Sequence, residues 1–404
     1  MNVAQARLPE VEQPPQAVVR HGRIVFLDGL RGISALHVMF AHYALAFYPE
    51  GFWQLGFFSN SFISLCLFFL ISGYVLTYSF EKMPGDILVN IVRRLVRIGL
   101  PYFPAVLFSA LLASAGWGVT HAVAVAAASD WLLKMTALPA LTGLWADISG
   151  ASLFVGYFQN SLFQFPGLPD QLHALDPPVW TLHVELYGSL WIIGLVWAQR
   201  FGAWLYGALL FLSLFVFGFD ELALFTIGHL LAQISRHERL ARLLVFPKRQ
   251  WFGVAMIVAG IWLSDADTLN VPLPDAIFPG GVFHIPEIYR AQTQWGAILI
   301  FLGILLTPVL QRVFDTAVFQ FLGRLSYSVY LLHFAIMISL GSAVFLLMLK
   351  FGAGIAMLLA WLAGLGATVP VALLFQWGVD EPAIRLSRKI TRKKTSEAKL
   401  APVR

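Results

Sequence analysis

Apolar residues in this chain fall into long runs, separated by short stretches in which arginine, lysine, proline and glycine collect. Runs of about 17 to 25 such residues match the hydrocarbon thickness of a bilayer. They lie near Ile33 to Tyr48, Asn60 to Phe80, Gly99 to Gly116, Trp180 to Ala198, Gly202 to Phe219, Leu222 to Ile234, Trp251 to Leu263, Gln294 to Leu310, Tyr327 to Leu349 and Gly354 to Trp377. The pattern predicts an all-α fold, a polytopic membrane bundle of about ten transmembrane helices. No internal repeat stands out, which weighs against the duplicated halves common in secondary transporters.

Composition sharpens this reading. The chain is 58% hydrophobic and 12% charged, against roughly 25% charged in a soluble domain, and its mean hydropathy is +0.74. Residues 1–25 carry Pro9, Pro14 and Pro15 among scattered charges, with no cleavage signal, and read as a disordered cytoplasmic tail. Ten crossings from that start place 24 of the 27 lysines and arginines on the inside and leave Lys134, Arg290 and Lys350 outside. That asymmetry fits the positive-inside rule and puts both termini in the cytoplasm, at the plasma (inner) membrane. The expected organisation is a membrane domain over 26–380 followed by a basic cytoplasmic tail, 381–404. The net charge of +5 then sits in loops and in that tail, against anionic lipid, and needs no nucleic acid to explain it.

Two long segments, Trp117 to Val179 and Ser264 to Thr293, fall outside on this topology; the prolines of the second rule out a regular helix. Loops of that length are often lids or binding surfaces. Tyr157, Phe158, Phe163 and Phe165 of the first are candidates to stack on an acceptor. In ILVNIVRRLVRIGL, apolar residues recur at helical spacing and Arg93, Arg94 and Arg97 cluster at the end. Two readings stay open there: an interfacial helix with snorkelling arginines, or a basic cradle for an anionic ligand. The single cysteine, Cys66, lies in the second run and reads as a small packing residue. No metal site is expected: there is no H-E-x-x-H or paired Cys/His spacing, and His183 and Glu185 would point ~200° apart on a helix.

Arg31 and His42 carry the candidate chemistry. Eleven residues of helix come to about three turns and ~16 Å, so the two side chains share a face. Ionisable groups inside a bilayer are costly and usually face a bundle interior or wet cavity, which marks the pair as a functional-site candidate. A packing histidine is the competing reading. His37, ~140° from His42 on the same helix, is expected to face another helix.

At these residues the chain resembles the acyltransferase 3 family of integral membrane acyltransferases. The resemblance rests on Arg31 and His42 within FLDGLRG, FFLISGYVL at Phe68 to Leu76, and the basic run Arg93, Arg94, Arg97, Ile98 and Tyr102. Further on it rests on WTLHVE at Trp180 to Glu185 and LGRLSYSVYLLH at Leu322 to His333. The motifs run in the family's order from Phe26 to about Trp377. After Glu185 the chain has Leu186, Tyr187 and Gly188 where the family often has an acidic or amide residue and an aromatic pair, which leaves the acceptor open.

The resemblance implies an acyl-CoA-dependent O-acyltransferase, an O-acetyltransferase in the first instance, with acetyl-CoA as co-substrate and no metal. His42 would be the general base, with Arg31 and Glu185 completing the catalytic set. Arg93, Arg94, Arg97, Ser326 and Tyr327 would bind acyl-CoA from the cytoplasm. The acceptor would be a hydroxyl of a glycan or glycan-like molecule on the outer side. A lipid or secreted small molecule as acceptor stays open, as does a different class, a proton-coupled transporter of an anionic solute. His333 reads as a packing or supporting residue.

Overall fold

The computed structural model describes residues 19–20, 23–82, 87–135, 141–157, 174–216, 221–237, 246–265 and 288–400. The fold is all-α apart from a two-residue antiparallel ladder that pairs Val19 with Ile24 and Arg20 with Arg23. The helices that frame the interior are α1 (Val25–Phe47), α2 (Ser61–Lys82), α3 (Ile87–Ala126), the short α4 (Asp130–Met135), α5 (Trp180–Ala198) and α6 (Glu221–Arg236). They continue with α7 (Arg249–Ser264), α8 (Ile288–Leu306), α9 (Ala317–Ile336), α10 (Ala353–Phe375) and α11 (Glu381–Leu400).

Ten crossings are not what forms. Among the described residues five helices are long and apolar enough to cross a membrane: Pro49–Glu81, Ile87–Ser114, Pro177–Ala198, Ala317–Phe351 and Ala353–Ile390. A sixth is counted if Ala291–Leu306 and Pro308–Phe314, bent by 95° at their junction, make one span. The remaining apolar runs fall short for identifiable reasons. Asp28, Arg31, His37 and His42 dilute α1, α6 and α7 are 16 residues each, and Ala203–Phe215 is shorter still. An apolar run records burial in protein as readily as burial in lipid, so composition alone overcounts crossings. Five crossings would put the chain ends on opposite sides and six on the same side, so the sorting of lysines and arginines, and with it the placing of both termini in the cytoplasm, loses the ten-span count on which it was built.

Small residues set the helix contacts. A Cβ added at Gly32 of α1 would lie 2.6 Å from the Gly323 nitrogen of α9. The two backbones therefore touch where each helix carries glycine, the close approach typical of helices packed within a membrane. The pair α7 and α8 uses the same device, Gly260 against Gly296 and Gly253 against Gly303.

The segment leading into α5 is tied down by buried polar groups. Asp147 accepts a backbone bond from Leu175 (2.7 Å) and the Tyr157 hydroxyl, and Asp176 accepts from Ser109 Oγ (3.1 Å). Burial pushes the Asp176 carboxyl well above the usual carboxylate range, the Ser109 bond opposes this, and the neighbouring Asp147 adds to it. Tyr157 is fully buried in this network, so it is not the exposed stacking surface expected of it. Phe158, Phe163 and Phe165, most of the Ser264 to Thr293 segment, and residues 1–18 of the N-terminal tail lie outside the described residues.

Two stability predictions follow from this packing. Gly323→Ala drives a methyl into the α1 backbone and lowers the thermal midpoint of detergent-solubilised protein, by about 1–3 kcal/mol if it behaves as core overpacking does. Gly366→Ala, with open space around its Cβ position, leaves the midpoint equal or higher. For Asp176 the raised folded value means stability is fully present below the unfolded value, about 3.9, and is lost as pH rises through the folded one. Asp176→Asn is therefore expected to raise the midpoint at pH 8 relative to the parent, with the difference disappearing at pH 4.

Candidate active site

The glycine contact brings one face of α9 against α1. Along that face Ser326, Tyr327, Tyr330 and His333 follow at three- and four-residue spacing, the repeat that keeps side chains on one side of a helix. On α1, Arg31 Nη2 donates to Ser72 Oγ of α2 (3.1 Å), within the FFLISG stretch. Three turns further, His42 Nδ1 lies 2.8 Å from His333 Nε2. The two rings are nearly parallel, 5° apart, with centroids separated by 5.1 Å. Trp131 of α4 stacks on the outer side of His42 at 6.2 Å, and the Phe334 ring meets it edge-on at 6.1 Å.

His37 and His229 are saturated. His37 Nε2 faces the carbonyls of Phe57 and Phe58 (both 3.2 Å) and must donate to them, so Nδ1 accepts from Ser64 Oγ (2.8 Å). Thr77 Oγ1 gives its only proton to the Gly73 carbonyl (2.7 Å), so His229 Nδ1 donates to it and Nε2 accepts from Tyr206 (2.8 Å each). Among His37, His42, His229 and His333, only His42 keeps a ring nitrogen, Nε2, outside these bonds.

The arginines gather at the other end of the Arg31 to His42 line. Arg94 Nη2 donates to Glu185 Oε1 (2.7 Å) and to Ser189 Oγ (2.5 Å). Arg97 forms an ion pair with Asp380, and its guanidinium lies 4.8 Å over the Tyr327 ring. A cavity of about 180 Å³ opens between these groups, lined by Arg31, Ser72, Arg94, Arg97, Glu185, Tyr327 and Tyr330 among others. It shares Arg31, Arg97, Ser326 and Tyr327 with a second, more polar cavity of about 390 Å³. That one is walled by α11 and adds Arg324, Arg385 and Arg388, with Asp28, Asp380 and Glu381 between them. At the inner end of the first cavity, the Tyr330 ring centroid is 5.9 Å from that of His333.

The sequence-predicted residues divide accordingly. Arg31, Arg94, Arg97, Ser326 and Tyr327 line the first cavity, and all but Arg94 also line the second. Glu185 lies in the first too, held by Arg94, and is not bonded to His42; the ten-helix topology had put Glu185 and Arg94 at opposite membrane faces. Arg93 lines neither cavity; its Nη1 donates to Asn90 Oδ1 (3.5 Å). Three residues escaped the sequence reading, Arg324 within LGRLSY and Arg385 and Arg388 in the segment read as a basic tail, while His333 was left as a packing or supporting residue. Only Arg324 had a local signal, its place inside a recognised motif. Among the described residues no cluster of three potential metal ligands occurs.

Comparison with known proteins supplies the family. The chain is 26% identical over 371 residues to "O-acetyltransferase PaAT-1" of Phomopsis amygdali, covering 79% of this chain and 73% of that one. It is 24% identical over 333 residues to "Acyltransferase clz18" of Cochliobolus lunatus, covering 70% and 69%. With "Acyltransferase R4" of a Phoma species it shares 27% over 192 residues, 42% and 40% of the two chains. No solved structure gives a significant match. The family model described as an acyltransferase domain, Acyl_transf_3, matches residues 24–377, which takes in α1 through α10 and every motif on the two helix faces described above. The chain is a membrane acyltransferase and belongs to the acyltransferase 3 family.

Proposed function

We propose that this protein is an O-acetyltransferase that holds acetyl-CoA in the arginine-lined cavities and uses His42 Nε2 to deprotonate an acceptor hydroxyl, most simply that of a glycan or glycan-like molecule. The observation that carries the proposal is the unbonded Nε2 of His42, in a protein whose family transfers acyl groups. The acceptor proton passes to Nε2 as the hydroxyl oxygen attacks the thioester carbonyl carbon. The C–S bond then breaks, and the coenzyme thiolate leaves and takes the proton back. Positioned bases of this kind contribute about 10²–10⁴-fold to rate. The acetyl group and the oxygen acceptor are supported by the name of the Phomopsis relative, and the flat Trp131 ring beside His42 suits a sugar face.

The donor is expected to enter by the wider, α11-walled cavity. Its phosphates would meet Arg324, Arg385 and Arg388, and its pantetheine arm would run past Tyr327 and Tyr330 toward His42. The ~16 Å between Arg31 and His42 is a reasonable length for that arm. Arginine-rich membrane-protein ends face the cytoplasm by the positive-inside tendency, which supports a cytoplasmic donor. The transporter alternative loses its ground once family membership supplies an enzymatic role for the chain.

Turnover of radiolabelled acetyl-CoA by detergent-purified protein tests the base. His42→Ala is expected to lose at least about 100-fold in kcat while still binding acetyl-CoA. Equal turnover in that variant removes His42 from the chemistry. The donor route has its own check, since Arg324→Ala with Arg388→Ala removes charge-assisted bonds worth about 1.5–3 kcal/mol each. The double variant should raise KM for acetyl-CoA by tenfold or more and leave KM for acetyl-pantetheine, which lacks the nucleotide, unchanged. A parallel rise for both donors places the nucleotide elsewhere.

A further inference from the structure

We infer that His333 is a positioning residue that fixes the tautomer of His42, so that the basic lone pair sits on Nε2 and not on Nδ1. The inference rests on the reading of His42 as the base and goes beyond it. His333 Nδ1 lies 2.8 Å from the Tyr330 carbonyl oxygen and 3.2 Å from that of Val329, one helical turn back. Carbonyl oxygens only accept, so the ring proton of His333 is on Nδ1. In a neutral imidazole the other nitrogen is then an acceptor, and His333 Nε2 offers a lone pair to His42. The 2.8 Å contact between the rings therefore requires His42 Nδ1 to donate.

The chain of consequence begins in the main chain of α9 and ends at the reacting atom. Two backbone carbonyls set His333, His333 sets His42, and of the two unprotonated nitrogens, His333 Nε2 and His42 Nε2, the one on His42 is left without a hydrogen bond. The opposite assignment, with His42 Nδ1 accepting, would need a proton on both nitrogens of His333. That would place a cation in a fully buried ring whose polar contacts are two carbonyls and a neutral imidazole, with no carboxylate to pair it. His333 thus occupies the orienting place that a carboxylate fills in a serine hydrolase triad, as a neutral acceptor. When His42 takes the acceptor's proton it becomes a cation that still donates from Nδ1 to His333. No proton needs to travel further, because the same Nε2 returns it to the leaving thiolate.

Glutamine separates this role from packing, since its Oε1 can stand where His333 Nε2 accepts, while leucine fills space without accepting. With acetyl-CoA as donor, His333→Leu should lower kcat by about 100-fold with the dissociation constant for acetyl-CoA unchanged, and His333→Gln should recover to within about tenfold of the parent. Full kcat in His333→Leu overturns the inference, as does a His333→Gln that binds acetyl-CoA normally yet is as slow as His333→Leu. If the leucine variant does not fold, nitrogen-15 NMR of histidine-labelled parent protein decides without it. The resonance pair lost in His42→Ala should show a protonated Nδ1 and an unprotonated Nε2; the reverse pattern overturns the inference. Normal turnover in His42→Ala would instead sink the underlying reading while leaving the NMR result intact, so the two failures are distinguishable.

Discussion

The backbone contact between α1 and α9 at Gly32 and Gly323 is the constraint on which the rest of the site depends. Within lipid, apolar side chains gain little by leaving hydrocarbon for one another, so tight pairing comes from small residues that let backbones approach. Asp28 and Phe314 lie against the neighbouring glycines in the same zone, so the contact is a patch and not a single point. The helices run in the same direction from it. Ten residues beyond Gly32 stands His42, and ten residues beyond Gly323 stands His333, about 15 Å up each helix. Equal rise on parallel helices is what makes a 2.8 Å bond between rings 291 positions apart in sequence possible. A one-residue slip at the glycines would turn one ring ~100° away from the other.

Charge is arranged differently along the same line. At the histidine end the polar groups are imidazoles, His42 bonded to His333 and His333 in turn to two backbone carbonyls. At the arginine end two cations are tied to carboxylates, Arg94 to Glu185 and Arg97 to Asp380. Buried pairs of this kind return little net stability, because desolvation offsets most of the attraction, but removing one partner strands a charge. Their contribution is to hold shape: Arg97 is fixed over Tyr327, and Asp380 anchors the start of α11 against α3. On the proposed function, attraction of an anionic donor then falls to arginines of the cavity rim that no carboxylate bonds among the described residues, Arg324 and Arg388. Planar guanidinium groups suit that work, since each can meet phosphate oxygens in pairs.

How far the sequence discloses this depends on the range of the interaction involved. Helical spacing within one segment was legible, so Arg31 and His42 came out on a common face and His37 on another, where it bonds Ser64 and two carbonyls. The number of crossings was not legible, because the apolar runs inside Glu221–Arg236 and Arg249–Ser264 record burial in protein as readily as burial in lipid, and both helices end at 16 residues. Register between helices was not legible either: the sequence reading set Glu185 and Arg94 at opposite faces and the fold bonds them directly, while the segment read as a basic tail forms α11, whose arginines wall a cavity. His333 shows the sharper limit. A histidine two turns above a serine and tyrosine has no sequence mark that distinguishes packing from orientation. What distinguishes them is which atom each ring nitrogen faces, and two of those atoms are backbone oxygens present at every position of every helix. The distinguishing fact is that His42 arrives from α1 with a nitrogen at bonding distance, and that follows from glycines placed ten residues away on both helices.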